Sequence, residues 1–291
     1  MTRKCPEYRL RLFLSVDLVG STAFKARKSD PNSSAEAASP NPAWVDEIRR
    51  FYHGFPNEVS RAYDNIEKPT DWTNISAPKV WKTVGDEIIF CCRLDNFDHL
   101  AISIRAFITA LGRYGEYLES RDKPTLDVKG CGWVAAFPYP NVTVKVFNPA
   151  DGETPQSLPV EDVEAAADAE PTAYDFLGKE IDSGFRMGKH CSANSFAMSI
   201  QMAWLLAKYG DAKPLDGIRF SYAGRQVLKG VIGDRPYPLL SIDVERSATR
   251  RKVRHFERAI GGTENFSTRS TYSVSQTRLS PTRGLSRFTF G

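Results

Sequence analysis

The stretch LFLSVDLVGSTAFK, residues 12–25, constrains the fold more than any other part of the chain. Apolar side chains run almost unbroken to a single carboxylate, Asp17, and the chain then turns through Gly20, Ser21 and Thr22. So apolar a run reads as a buried strand, here over about residues 9–18. A glycine turn opening a helix directly after it leaves backbone N–H groups free for phosphate oxygens. Asp17 alone would read as a helix N-cap, the commoner fate of such a residue. A catalytic reading needs a second carboxylate from elsewhere.

That second group stands in KVWKTVGDEIIFCC, residues 79–92, which reads as two short strands joined by the turn Val84-Gly85-Asp86-Glu87. Asp86 alone is an ordinary turn residue. Converging with Asp17 and the backbone carbonyl of Leu18, it completes an oxygen-rich set suited to magnesium or manganese. A metal beside the Val19-Gly20-Ser21-Thr22 loop implies a nucleoside triphosphate.

The rest of the chain supplies the frame. Ile48, Phe51, Phe55 and Val59 recur at helical spacing within a helix expected from about 42 to 62. Leu100, Ile104, Phe107 and Leu111 mark a second helix, about 95–119. A further strand falls near 126–137, a turn with one or two helices at 175–207, and a closing strand pair at 222–244. Residues 138–172, with prolines and then an acidic alanine-rich run, read as an enlarged loop. The order β-α-β-β-α-β predicts an α+β domain of the ferredoxin-like type over residues 1–245, with 138–172 inserted.

Charge separates the C-terminus from this body. Residues 246–291 hold ten Arg or Lys against two Glu, so of the net +4 they carry +8 and the remainder −4. That segment is rich in Ser, Thr and Arg, poor in aliphatics, and expected to be a disordered tail. Its sparse aromatics argue against nucleic-acid binding. The five cysteines have no metal-ligand spacing and read as buried thiols in a reducing compartment. With no secretory h-region and no apolar run near the roughly 20 residues a membrane span needs, a cytoplasmic protein is expected.

FLSVDLVGST together with KTVGDEIIF resembles the two metal-binding segments of class III nucleotidyl cyclases. DFLGKEIDSGFR is similar to a third segment and aligns Asp175, Gly178, Asp182 and Arg186; VLKG resembles a fourth and supplies Lys229. The resemblance covers about residues 9–244. It implies a homodimer with active sites between the chains, each holding two Mn²⁺ or Mg²⁺ ions on Asp17 and Asp86 of one chain. The other chain then gives Arg186 to the α-phosphoryl group, Lys229 to the triphosphate, and Lys82 and Asp175 to the base.

The sequence departs from the purine-cyclase pattern at Asp182, where a ribose-orienting Asn is usual, and at Phe185, where small residues are usual. Phe185, with Arg50 and Tyr52 of the first helix, would narrow the pocket toward a single-ring base. In these respects the chain resembles the pyrimidine cyclases of the bacterial Pycsar anti-phage defence system. That likeness implies conversion of UTP, or alternatively CTP, to a cyclic nucleotide sensed by a separate effector protein. Lys82 and Asp175 instead suit an adenylate cyclase, and a catalytically dead cyclase-like domain is a third reading. The first two separate on product identity. Retention of Asp17, Asp86, Arg186 and Lys229 argues against the third.

Overall fold

The structure, a computed structural model, describes residues 7–28, 42–70, 72, 75–121, 126–146, 159–208, 215–260 and 265–266. Strand β1 (Arg9–Val19) leads through helices α1 (Ser21–Lys28) and α2 (Ala43–Asp64) to a hairpin of β2 (Lys79–Val84) and β3 (Glu87–Leu94). Helix α3 (Phe97–Glu119) then returns the chain to β4 (Asp127–Phe137). These strands lie in the order β4-β1-β3-β2 with every neighbour antiparallel, which is the expected βαββαβ unit.

Beyond it come β5 (Val142–Lys145), α4 (Val160–Ala169), β6 (Tyr174–Leu177), α5 (Lys179–Met187), β7 (Ser195–Met198) and α6 (Ile200–Lys208). They are followed by β8 (Phe220–Val227), β9 (Pro236–Asp243), α7 (Ala248–Ile260) and β10 (Asn265–Phe266). β7 pairs in parallel with β4, and β9, β8 and β10 extend the sheet to eight strands; β5 and β6 form a separate two-stranded ribbon.

The apolar run in β1 is explained by cover on both faces. Leu12, Leu14, Val16 and Leu18 point into one core with Phe51, Phe55 and Val59 of α2 and Leu100, Ile104 and Phe107 of α3. Phe13 points the other way, into a second core with Trp81, Trp133, Phe176 and Ile181. This alternation is the two-residue period of a strand, and it puts Asp17 and Ser15 on the Phe13 face. The α3 start is fixed by Asn96, whose side chain accepts from the His99 N–H at 2.8 Å.

Of the segment 138–172, residues 147–158 lie outside the described residues, and the rest holds regular structure where a loop was expected. The acidic alanine-rich run forms α4, and its Glu161, Glu164 and Asp168 share one helix face at spacings of three and four. That face meets two buried arginines of β1. Arg11 bonds Glu164 Oε2 at 2.5 Å and Asp168 Oδ1 at 2.6 Å, with its guanidinium 4.8 Å from the Phe137 ring centre and 4.9 Å from that of Phe176. Arg9 pairs with Glu161 and, at 3.1 Å, with Asp168. The acidity is a counter-charge for buried guanidinium groups.

The basic C-terminal segment likewise begins with structure where coil was expected. Residues 248–260 form α7, and residues 265–266 add a short strand to β8; residues 267–291 lie outside the described residues. Arg246 secures the entrance, with contacts of 2.5 Å to Glu119 and 2.8 Å to Asp127. No helix among the described residues is long and apolar enough to cross a membrane.

Candidate active site

β1 and the β2–β3 hairpin bring the two carboxylates to one end of the sheet. The Leu18 N–H donates to the Asp86 carbonyl at 3.3 Å, and Asp17 stands in register with Glu87 on β3 and Lys129 on β4. The hairpin turn needs Gly85, whose φ of +65° lies in the left-handed region, and Gly20 makes the turn out of β1 at φ +87°. Ser21, in the first turn of α1, donates its hydroxyl to Asp86 Oδ2, and Lys25 Nζ lies 3.7 Å from the other oxygen. Lys129 Nζ is 3.0 Å from Asp17 Oδ2. Tyr52 donates its hydroxyl to the Gly85 carbonyl, bracing the turn that carries Asp86.

Charge at this end is imperfectly balanced. Burial pushes the Asp17 carboxyl up, the Lys129 bond works against it, and the nearby Asp86 charge adds to the rise. Burial also raises Glu87, the Ser15 hydroxyl opposing and the Asp17 charge adding. For Lys129, burial pulls downward but the bond and charge of Asp17 outweigh it, so its ammonium is held charged. A divalent cation would relieve the crowding of Asp17 and Asp86, and the donors fit one: a carboxylate on β1 and another in the β2–β3 turn, beside a helix N-terminus. No group of three His, Cys, Asp or Glu that could hold a metal occurs among the described residues. Magnesium commonly takes one or two protein carboxylates and completes its shell with substrate phosphate and water, which suits this set.

A cavity of about 300 Å³ opens beside Asp17, lined by Asp17, Glu87, Lys129, Phe185, Lys189 and Cys191 among others. Phe185 reaches it because Gly184 lets α5 lie down on β4. A Cβ at Gly184 would stand 2.2 Å from the Trp133 ring. Phe185 then packs at 5.5 Å from Trp133 and 6.3 Å from Trp81, ring centre to ring centre.

The remaining predicted residues form two further groups in the same chain. Lys82 Nζ bonds Asp175 Oδ1 at 2.7 Å and lies 3.9 Å over the Trp81 ring and 5.8 Å from that of Phe185. Arg186 packs against Gly230, next to Lys229; a Cβ there would be 3.3 Å from the Arg186 Nη1. Lys229 is exposed, as is Asp182 in the first turn of α5. Arg50 is not brought to the Lys82–Asp175 pair. It stands on the α2 layer, ion-paired with Glu47 at 3.0 Å and lining a groove with Arg113 and Tyr114. Helical spacing on α2 turns Phe51 inward and leaves Arg50 outside.

Sequence reasoning missed Lys129, Glu87, Ser15, Lys25 and Trp81. Lys129 and Glu87 flank Asp17 only through strand register, which local sequence does not encode. Glu87 was visible beside Asp86, and strand alternation alone could have pointed it to the Asp17 face.

No protein-family profile matches the chain, and no curated protein matches it either. Solved structures do. The adenylyl cyclase CyaB from P. aeruginosa superposes with a TM-score of 0.52 at 12% identity, over 81% of this chain and 94% of that one. The guanylate cyclase domain of RhGC from Catenaria anguillulae, solved with GTP, gives 0.50 at 8% identity, over 81% and 97%. A bacterial light-regulated adenylyl cyclase gives 0.50 at 10% identity, over 89% and 60%. The chain therefore has the α+β fold of adenylyl and guanylyl cyclase domains.

Proposed function

We propose that this protein is a class III nucleotidyl cyclase that converts UTP to 3′,5′-cyclic UMP and pyrophosphate. The observation that carries the reading is the convergence of Asp17 and Asp86 beside the N-terminus of α1. The ribose 3′-hydroxyl gives its proton to water and attacks the α-phosphorus; the new P–O bond forms as the bond to pyrophosphate breaks. Two Mg²⁺ or Mn²⁺ ions, when bound, acidify that hydroxyl and offset phosphate charge.

Asp17 and Asp86 would hold the cations, with the Leu18 carbonyl as a further oxygen donor. Residues 19–22 would offer backbone donors to phosphate oxygens. Lys129 then has a second use, as a cation left beside the triphosphate once Asp17 turns to metal. Arg186 suits the α-phosphoryl group because its planar fork contacts two oxygens as charge builds, and Lys229 beside it suits the outer phosphates. Lys82 and Asp175 would read the base edge. A second copy of the chain brings the two groups to one substrate, so the active form is a homodimer. Asp182, exposed in the monomer, would face the ribose from the partner.

Phe185 supports a pyrimidine base, since its ring, backed by Trp81 and Trp133, fills space beside the site. In the Pycsar-like reading the cyclic nucleotide is an anti-phage alarm read by a separate effector. One observation favours a second reading, an adenylate cyclase: the Lys82–Asp175 pair is intact at 2.7 Å. Purified protein incubated with Mn²⁺ and each of the four nucleoside triphosphates separates them by chromatography of the products. Cyclic UMP as the main product is expected, cyclic CMP would move the preference to CTP, and cyclic AMP alone would overturn the pyrimidine reading. No cyclic product from any of the four would overturn the cyclase itself.

A further inference from the structure

Two cysteines that the proposed reaction does not use meet in the cavity beside Asp17. Cys131 is buried at the middle of β4, and Cys191 follows the short turn after α5, partly exposed. Both line the cavity. Both sulfurs also converge on Gly188: Cys191 donates to its carbonyl at 2.8 Å, and a Cβ there would stand 3.1 Å from Cys131 Sγ. Each thiol therefore lies against the same residue, one from β4 and one from the turn after α5.

We propose that Cys131 and Cys191 are a redox modification site, forming a reversible intrachain disulfide when a low-molecular-weight disulfide is the oxidant. Cys191, the accessible partner, attacks one sulfur of the oxidant; a mixed disulfide forms and one small thiol leaves. Cys131 then attacks the Cys191 sulfur, the internal S–S bond closes, and the second small thiol leaves. Two thiol hydrogens are lost from the protein and carried away on the two leaving thiols, so the protein is oxidised by two electrons and the small disulfide reduced by two.

The surroundings favour Cys191 as the attacking group. Cys191 is the more exposed of the two, and the neighbouring Cys131 thiol lowers the Cys191 thiol from the ordinary cysteine value; burial opposes this and the Lys129 ammonium adds to it. The neighbouring cysteines on β3 are poor competitors. Cys91 and Cys92 are successive strand residues that point to opposite faces, and burial pushes Cys91 up to about 12. Closing the bridge would tie the segment after α5, and with it Phe185 and Lys189, to the rigid centre of the sheet. A disulfide of this kind in a reducing compartment is a transient, sensing bond rather than a structural one.

The chemistry does not depend on which nucleotide is cyclised, and its test reads mass. Full-length protein is treated with oxidised glutathione, the remaining thiols are blocked with an alkylating agent, and the intact and digested protein is weighed. The expected result is loss of two hydrogens, a 131–191 cross-linked peptide, full reversal by dithiothreitol, and slower amide exchange over 185–191 in the oxidised form. Cys191→Ser and, separately, Cys131→Ala should each abolish the cross-link while their thermal melts show a folded protein. A glutathione adduct on Cys191 that never resolves onto Cys131, a cross-link mapping to other cysteines, or unchanged exchange over 185–191 would overturn the proposal.

Discussion

Lys82 on β2 and Asp175 on β6 hold each other at 2.7 Å across the boundary between the large sheet and the small ribbon. Their side chains are 33% and 38% exposed, so the bond adds at most about 1 kcal/mol to stability. Asp175→Ala should therefore lower unfolding stability by less than about 1 kcal/mol in urea titrations. If the pair reads a base, the same change should raise KM for the preferred triphosphate at least about tenfold, some 1.4 kcal/mol, with a smaller effect on kcat. An unchanged ratio of kcat/KM between UTP and ATP would mean that the pair is only a brace.

Asp17→Asn and Asp86→Asn keep shape and remove charge. Each relieves like-charge crowding at the end of β1 while weakening an ion pair with Lys129 or Lys25. These effects oppose, and the thermal midpoint should stay close to wild type. Turnover should fall at least about 100-fold, since charge stabilisation of this kind is commonly worth that much. Wild-type-like product formation by either variant in Mn²⁺ would sink the two-carboxylate assignment.

Gly184 carries a prediction that separates packing from chemistry. A methyl group there meets the fused centre of the buried Trp133 indole, which cannot swing aside as a flexible chain end could. Overpacking of this kind typically costs about 1–3 kcal/mol. Gly184→Ala should show that loss in denaturant titrations, and should also depress kcat, because the next two residues are Phe185 and Arg186. Gly112, on the outer side of α3 with open space around its Cβ position, is the control: Gly112→Ala should be neutral or mildly stabilising.

What the sequence made legible was what depends on local pattern. The β1 strand, the Gly85–Asp86 turn and helices α2 and α3 all lie within a residue or two of their expected limits, because alternation, turn chemistry and apolar periodicity are local. The pairing of Asp17 with Asp86 was legible because two motifs at the right ends of neighbouring strands imply it. Lys129 beside Asp17 was not, since it depends on the register of β4 against β1. The α4 dock was hidden for a related reason. Glu161, Glu164 and Asp168 resemble a solvated acidic run until Arg9 and Arg11, some 150 residues earlier, are seen to be buried beneath them.

That dock should titrate. Arg9 holds the Glu161 carboxyl below its ordinary value, chiefly through their hydrogen bond. A depressed carboxyl contributes stability at pH values above its unfolded pKa, near 4.3, and the contribution is lost as pH falls through the lower folded value. Glu161→Gln should flatten the acid limb of the stability curve, and only slightly at neutral pH, since the Glu161 side chain is 45% exposed. Arg11→Met is the severe variant, because it strands the buried Glu164 without its cation. A loss of about 3–5 kcal/mol is expected. Adding Glu164→Gln should recover part of it, which a double-mutant cycle in urea would measure.

Arg246 attaches the basic C-terminal segment to the body of the protein. Arg246 lies flat over Gly115 of α3, where a Cβ would stand 2.2 Å from its Nη1. Its guanidinium spans Glu119 and both oxygens of Asp127. Asp127 is the register partner of Val19, at the edge of the Gly20 turn, so one residue links the start of α7 to the end of the sheet that carries the candidate site. The side chain is 14% exposed, and a shielded charge-assisted pair of this kind is stronger than a surface ion pair. Arg246→Ala should therefore speed amide exchange across residues 248–260 at least about tenfold, while exchange in β1 and α3 stays near wild type. Gly115→Ala should reproduce that pattern with every charge intact, because the added methyl displaces the guanidinium. Fast exchange in the charge variant but not in the glycine variant would assign the anchoring to Glu119 and Asp127 alone. Unchanged exchange in both would show that α7 is held by other contacts.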